Sequence, residues 1–161
     1  MFGKATALLD WWDIILRLGV ATVASGIIGL NRDLHGKPIG LRTLSLVGLA
    51  TATVVLLANP EALEAGRLSD ATSRVIQGLL TGIGFLGAGV IVHSEQAKVR
   101  GLTSAACVWF TACIGIVCGL GQWRLVTIAL AIALIVLAFG GPFERSLHRA
   151  FRGSPDEPPP N

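Results

Sequence analysis

Five long apolar runs, at about residues 11–30, 41–58, 75–93, 103–120 and 123–140, constrain this chain more than any other feature. Each is close to the roughly 20 residues that an α-helix needs to cross ~30 Å of hydrocarbon. Transmembrane β-strands are about half as long and alternate between apolar and polar residues, a pattern that these runs lack. The sequence therefore predicts an all-α, polytopic membrane protein with five transmembrane helices, surrounded by a lipid bilayer.

Charge and motif content argue against a soluble enzyme or a nucleic-acid-binding protein. Only 14% of the residues are charged and the mean hydropathy is +0.67, whereas soluble domains are roughly 25% charged. The net charge is +3, but the basic residues are scattered among the links rather than clustered on one face. Cys107, Cys113 and Cys118 have no metal or redox spacing and read as buried thiols. No catalytic residue, metal ligand or cofactor is predicted.

The basic residues in alternate links predict the orientation of the chain. The cytoplasmic side of a membrane protein carries an excess of Lys and Arg. If the N-terminus is outside, eight basic residues are inside and four outside. The inside set is Arg32, Lys37, Arg42, Lys98, Arg100, Arg145, Arg149 and Arg152, and the outside set is Lys4, Arg67, Arg74 and Arg124. Trp11, Trp12 and Trp123 would then form part of an aromatic belt at the outer interface.

The third run is rich in glycine on two sides of the predicted helix. At about 100° per residue, Gly78, Gly82 and Gly89 share one side, and Gly84, Gly87 and Ala88 lie roughly opposite. Small residues let helices approach closely in membranes, so this pattern predicts a central helix gripped by two neighbours. The alternative is a loosened helix whose carbonyls face an ion. The fifth run has bulky side chains all round and reads as a peripheral helix.

Polar groups near the spans are functional candidates, because such groups are costly in lipid. Asp13 and Arg17 are spaced to form an ion pair at the outer interface. Asp70 and Arg74 repeat that spacing, with Gln77 one turn further in, and Asp70 is also placed to cap the third helix. This triplet is either a polar site at the outer mouth or a helix start.

The first link is a short basic turn, in which glycine and proline follow Arg32 and Asp33. It reads either as a turn that contacts anionic headgroups or as a docking surface for a partner. Residues 153–161 are rich in proline and acid and are predicted to be a disordered tail after one membrane domain at 1–152.

Three stretches together resemble the bacterial MgtC/SapB family of inner-membrane proteins. They are GIIGLNRDLHGKPIGLRTLSLVG, DATSRVIQGLLTGIGFLGAGVI and VRGLTSAACVWFTACIGIVCGLG, and they cover about residues 16–121. Asn31 replaces the family's usual Glu, Ile39 its Ala and Ser104 its Thr. The soluble C-terminal domain of the longer members is not expected in this sequence.

The resemblance implies a protein linked to magnesium homeostasis, growth at low magnesium and virulence. It implies modulation of other membrane machines, including the proton-driven ATP synthase, rather than clear magnesium transport. The residues that it carries over as functional are Arg32, Asp33, Gly40, Arg42, Thr43, Asp70, Arg74, Gln77, Gly84, Phe85, Gly87, Gly89, Gly101, Thr103 and Trp109. Gly78 and Gly82 are added as helix-packing residues.

Three hypotheses remain open from the sequence. The first is a non-enzymatic regulator that packs against other membrane proteins, and it is favoured because no acidic residue lies near the midplane of any span to hold Mg²⁺. The second is a small, oligomeric ion transporter or channel along the third helix. The third is a structural subunit of a larger membrane complex.

Overall fold

A computed structural model describes residues 11–58, 69–93 and 99–151. Its helices are α1 (Trp11–Leu34), α2 (Leu41–Ala58), α3 (Asp70–Val90), α4 (Leu102–Gly119) and α5 (Trp123–Phe151). All five are long and apolar enough to cross a membrane, and the apolar part of α5 is Trp123–Gly141. The prediction of an all-α, five-helix membrane bundle is confirmed. The predicted tail at 153–161 lies outside the described residues.

Several predicted boundaries differ from the structure, and the third helix begins at Asp70 and the fifth ends at Phe151. The first helix continues through Leu34, because no residue before Gly36 interrupts it, and Gly36 then takes a positive φ of 61°. The third helix ends at Val90 rather than at residue 93, since Val92–His93 pairs antiparallel with Val99–Arg100 as strands β1 and β2. The link between α3 and α4 is therefore a small β-hairpin.

The start of α3 also corrects a prediction. Asp70 is the first helical residue and not the N-cap, which is Ser69. The Ser69 side chain accepts a hydrogen bond from the Thr72 backbone N–H at 3.1 Å. A serine oxygen one residue earlier thus satisfies a free N–H of the first turn, and the Asp70 carboxylate is left exposed to act elsewhere.

The centre of the bundle is α4, which contacts each of the other four helices and is the most buried of the five. Close approach there depends on small residues. A Cβ on Gly115 would overlap the Gly48 carbonyl oxygen, and one on Gly119 would lie 3.0 Å from the Ala52 carbonyl oxygen. The helices α1, α2 and α4 therefore form a tightly packed unit.

The prediction that the third helix is central is wrong for the single chain. Only Thr72, Ile83 and Gly87 of α3 are buried. Gly87 approaches Ala105 of α4, whereas a Cβ on Gly78, Gly82, Gly84 or Gly89 would meet no atom within 4 Å. These four glycines consequently lie outside the contact between α3 and α4. The fifth helix is peripheral as predicted, since its apolar span is the least buried of the five.

Candidate functional site

One end of the bundle gathers the chain's basic turn and the start of its central helix. The end of α1, the start of α2, the end of α3 and the start of α4 converge there around an open cavity of about 870 Å³. Its polar lining comes from Arg32, Lys37, Thr103 and Ser104, and its apolar lining includes Ile39 and Val90. The ends of membrane helices lie at the depth of lipid headgroups, so this cavity lies at the interface rather than at the midplane.

Arg32 is buried at the wall of this cavity, with 6% of its surface exposed. The sequence placed it in a surface turn, which is wrong, because α1 continues past it and directs it toward α4. Its Nη2 donates a hydrogen bond to Ser104 Oγ, while its Nε has no hydrogen-bond partner. Within the described residues, no carboxylate forms an ion pair with Arg32.

Asp33 faces away from the cavity and caps the second helix. Its Oδ2 accepts the Leu41 backbone N–H at 2.8 Å. A Cβ on Gly40 would overlap the Asp33 carboxylate in its present position, so a larger residue there would displace this cap. These two residues of the motif therefore have a structural role that joins α1 to α2.

Gly101 and Thr103 define the start of α4. Gly101 is the N-cap with φ 94°, a left-handed conformation that favours glycine. No side chain caps this helix start. The first turn consequently presents backbone N–H groups that lack intrahelical acceptors, and the exposed Thr103 lines the cavity beside them.

Arg42 and Thr43 line a second cavity, of about 550 Å³, between α2 and α3. Its other walls are mostly aliphatic, including Leu46, Leu79 and Leu86. Arg42 is exposed and makes no ion pair within the described part of the chain. It therefore differs from Arg32, which is buried at the same end.

The predicted ion pair at the opposite end is present. Arg17 Nε lies 2.7 Å from Asp13 Oδ2, and Arg17 Nη1 donates to the Gly119 carbonyl oxygen at 2.8 Å. Gly121, with φ 71°, lies against the guanidinium. Arg17 is only 4% exposed, so its charge is paired inside the bundle and joins the start of α1 to the end of α4.

The outward side of α3 carries the triplet predicted as a polar site. Asp70, Arg74 and Gln77 are all exposed and lie along one side of the helix, roughly opposite the buried Ile83 and Gly87. No ion pair joins Asp70 to Arg74 among the described residues. This outward face of α3 is completed by exposed small and aromatic residues, namely Gly78, Thr81, Gly82, Gly84, Phe85 and Ala88.

Comparison with known proteins identifies the family. The family model described as MgtC family matches residues 18–146. The chain belongs to the MgtC family. It is 38% identical over 137 residues to Protein SrpB of Synechococcus elongatus, which covers 80% of this chain and 75% of SrpB. No solved structure matches the chain.

Two further MgtC-family relatives are longer than this chain. The Putative magnesium transporter YhiD of Escherichia coli (strain K12) is 37% identical over 128 residues, which are 78% of this chain and 59% of YhiD. Protein MgtC of Salmonella typhimurium (strain LT2) is 39% identical over 123 residues, or 76% of this chain and 49% of MgtC. The chain thus spans about half to three-fifths of these two relatives.

The structure divides the family's motif residues between two places. Arg32, Gly89, Gly101 and Thr103 surround the larger cavity, while Asp70, Arg74, Gln77, Gly84 and Phe85 lie on the outward face of α3. Trp109 is about half exposed on α4 and joins neither group. Within the described ranges, no three His, Cys, Asp or Glu side chains are grouped to hold a metal ion.

Sequence reasoning missed the packing residues of the MgtC-family core. Thr111, Gly115 and Gly119 recur every four residues along α4, and Ala21, Ser25 and Gly29 do so along α1. This spacing of small residues is itself a signal for close helix packing in membranes. The prediction of a central helix rested instead on the number of glycines in the third run. That number does not indicate which faces of a helix contact a neighbouring helix.

Proposed function

We propose that this chain is a non-enzymatic regulator of the bacterial inner membrane that acts by packing the outward face of α3 against the transmembrane helices of another membrane protein. One observation carries the proposal. A face of α3 that consists largely of small and polar residues points away from the bundle, where a single chain would expose it to lipid.

Such a face is poorly suited to lipid and well suited to a helix. At 1.5 Å per residue, Gln77 and Thr81 lie about 10 and 16 Å along the axis from Asp70, within the span. Thr81 Oγ1 is satisfied by the Gln77 backbone oxygen at 2.9 Å, but the Gln77 amide bonds to no other described residue. A partner helix could approach closely at the glycines and form a hydrogen bond with the Gln77 amide.

Charge distribution supports an N-out, C-in orientation for this regulator. Eight basic residues fall in the links assigned to the cytoplasm and four in the outer links. Trp11 and Trp12 are exposed at the end of the bundle that holds Arg17, as an outer aromatic belt would require. The face of α3 would then begin at the outer surface with Asp70.

A connection to magnesium rests on the relatives. YhiD is named Putative magnesium transporter, and the family bears the name of MgtC. The spans have no carboxylates near the midplane that could hold Mg²⁺. We therefore infer that this chain acts on membrane proteins that respond to magnesium and does not carry the ion itself.

Replacing Gly82 with leucine is expected to weaken partner capture at least about tenfold, because the bulky side chain keeps the partner helix from close contact. A photo-crosslinking residue at Thr81 in living cells, followed by mass spectrometry, measures the capture. The matched control is Gly140→Leu on α5, where a Cβ also meets no atom within 4 Å. Both variants should insert normally.

Three results would contradict the regulator. These are crosslinks only between copies of this chain, equal capture by both variants, or no adduct above that of a crosslinker placed at the lipid-exposed Ile132. A recurrent adduct with one membrane protein, lost in Gly82→Leu and kept in Gly140→Leu, supports it.

A transporter is the second candidate function, favoured by the name of YhiD. If α3 lined an ion path, Asp70→Asn would remove the carboxylate at its mouth and lower Mg²⁺ flux several-fold. We expect instead no flux above empty vesicles for either the wild type or the variant, measured with a Mg²⁺-sensitive dye in proteoliposomes. Wild-type flux that falls in Asp70→Asn would establish transport and reject the regulator.

A further inference from the structure

We propose that the larger cavity binds a phosphate group, held by the Arg32 guanidinium, the Lys37 ammonium and the uncapped N-terminus of α4. The cavity is separate from the outward face of α3, so this binding site does not depend on the proposed regulator.

The first argument is the charge of Arg32. Burying a cation is costly unless an anion and hydrogen-bond acceptors compensate it. Its polar contact within the described residues is the neutral Ser104 hydroxyl, and its Nε is a buried donor without an acceptor. The neighbouring Asp33 does not compensate it, since that carboxylate caps Leu41 instead. An anion in the cavity would supply the missing acceptor.

The second argument is the backbone at the start of α4. Gly101 has no side chain, and no side-chain cap covers the first turn. The N–H groups there point outward with the positive end of the helix dipole, the arrangement that binds phosphate in many proteins. A Cβ on Gly101 would overlap Val90, so the close approach of α3 depends on this glycine.

The third argument is that both the position of the cavity and the residues that line it suit a phosphate group. It holds Lys37 as a second cation, and it is roomy at about 870 Å³. Ile39, Val90 and Leu102 give it partly apolar walls at the depth where phospholipid phosphates lie. The shared chemistry is a phosphate group, which either an acidic lipid headgroup or a soluble phosphate can provide.

Binding is tested on the whole chain with two probes. Inorganic phosphate is titrated into protein in an uncharged detergent, at ionic strength matched with sodium chloride, while Tm is recorded. Phosphatidic acid is supplied in phosphatidylcholine nanodiscs, and the lipid retained after detergent extraction is counted by native mass spectrometry. Retention of one phosphatidic acid without a phosphate-dependent Tm assigns a lipid headgroup. A Tm that rises with inorganic phosphate assigns a soluble ligand, and no response to either probe overturns the proposal.

Two charge-matched variants locate the site. Arg32→Gln should lower affinity about 10- to 100-fold, the usual range for losing charge-assisted hydrogen bonds. Arg42→Gln removes the same charge at the same end from an exposed side chain, and should change affinity less than about twofold. Equal losses in the two variants would mean attraction to surface charge alone and would reject the site.

A third variant keeps the test decisive if Arg32→Gln does not fold. Lys37 is exposed at the cavity, so Lys37→Gln should fold normally and weaken binding about two- to fivefold. Unchanged affinity in Lys37→Gln would contradict the proposal.

Discussion

The variant Gly115→Leu is expected to lose about 3 kcal/mol or more of stability, because overpacking at a contact between backbones forces helices apart. A Cβ at this position would overlap both Thr51 Oγ1 and the Gly48 carbonyl oxygen. The backbone of α2 cannot move aside without a large cost in free energy, and neither can Thr51, whose hydroxyl is hydrogen-bonded to its own helix. The free energy of unfolding in mixed micelles, followed by circular dichroism during titration with SDS, measures the loss.

The control for this variant is Gly140→Leu, which makes the same substitution on α5. A Cβ on Gly140 would meet no atom within 4 Å, so its effect should stay within about 0.5 kcal/mol. Comparable losses in the two variants would mean that leucine at any glycine is harmful. The close packing of α2 against α4 would then not be the cause.

The variant Arg17→Gln is expected to cost about 2–4 kcal/mol, because it leaves the partners of a buried charge unsatisfied. The Gly119 carbonyl oxygen loses its donor and Asp13 loses its cation. Thermal unfolding in detergent, with circular dichroism as the readout, measures the change. The effect should exceed that of Asp13→Asn, since Asp13 is about a third exposed and water can hydrate it.

Arg124→Gln is the charge-matched control for that measurement. Arg124 is an exposed residue at the same end of the bundle, and its loss should cost less than about 1 kcal/mol. If Arg17→Gln and Arg124→Gln destabilise the protein equally, the bond to Gly119 contributes nothing and the end of α4 is held by packing alone.

Features that depend on residues close to one another in the sequence were predictable from the sequence. Hydropathy over about 20 residues gave the five spans, and the spacing of Asp13 and Arg17 gave their ion pair, which the structure contains. Both follow from local geometry, since a helix fixes which residues share a side. The peripheral place of α5 followed in the same way from bulky side chains around its whole circumference.

The arrangement of the helices was not predictable in this way. A helical wheel identifies the glycine faces of α3, but only long-range contacts decide whether a neighbour covers them. Those contacts fall on α4 instead, where Gly115 faces Gly48 and Thr51. Arg32 was misplaced for a related reason. Polar residues suggested a turn, whereas helical geometry continued past them and carried the guanidinium into the bundle.

The bond from Arg17 to Gly119 joins residues 102 positions apart, and this separation has a consequence for biosynthesis. At about 5–20 residues per second, the ribosome needs roughly 5 to 20 seconds to add the second residue after the first. During that interval Asp13 is the one carboxylate, among the residues that the structure describes, that pairs with the Arg17 guanidinium. The Arg17 guanidinium can therefore bond to α4 only after that helix has been synthesised, so this contact between the first helix and the central helix forms late in synthesis.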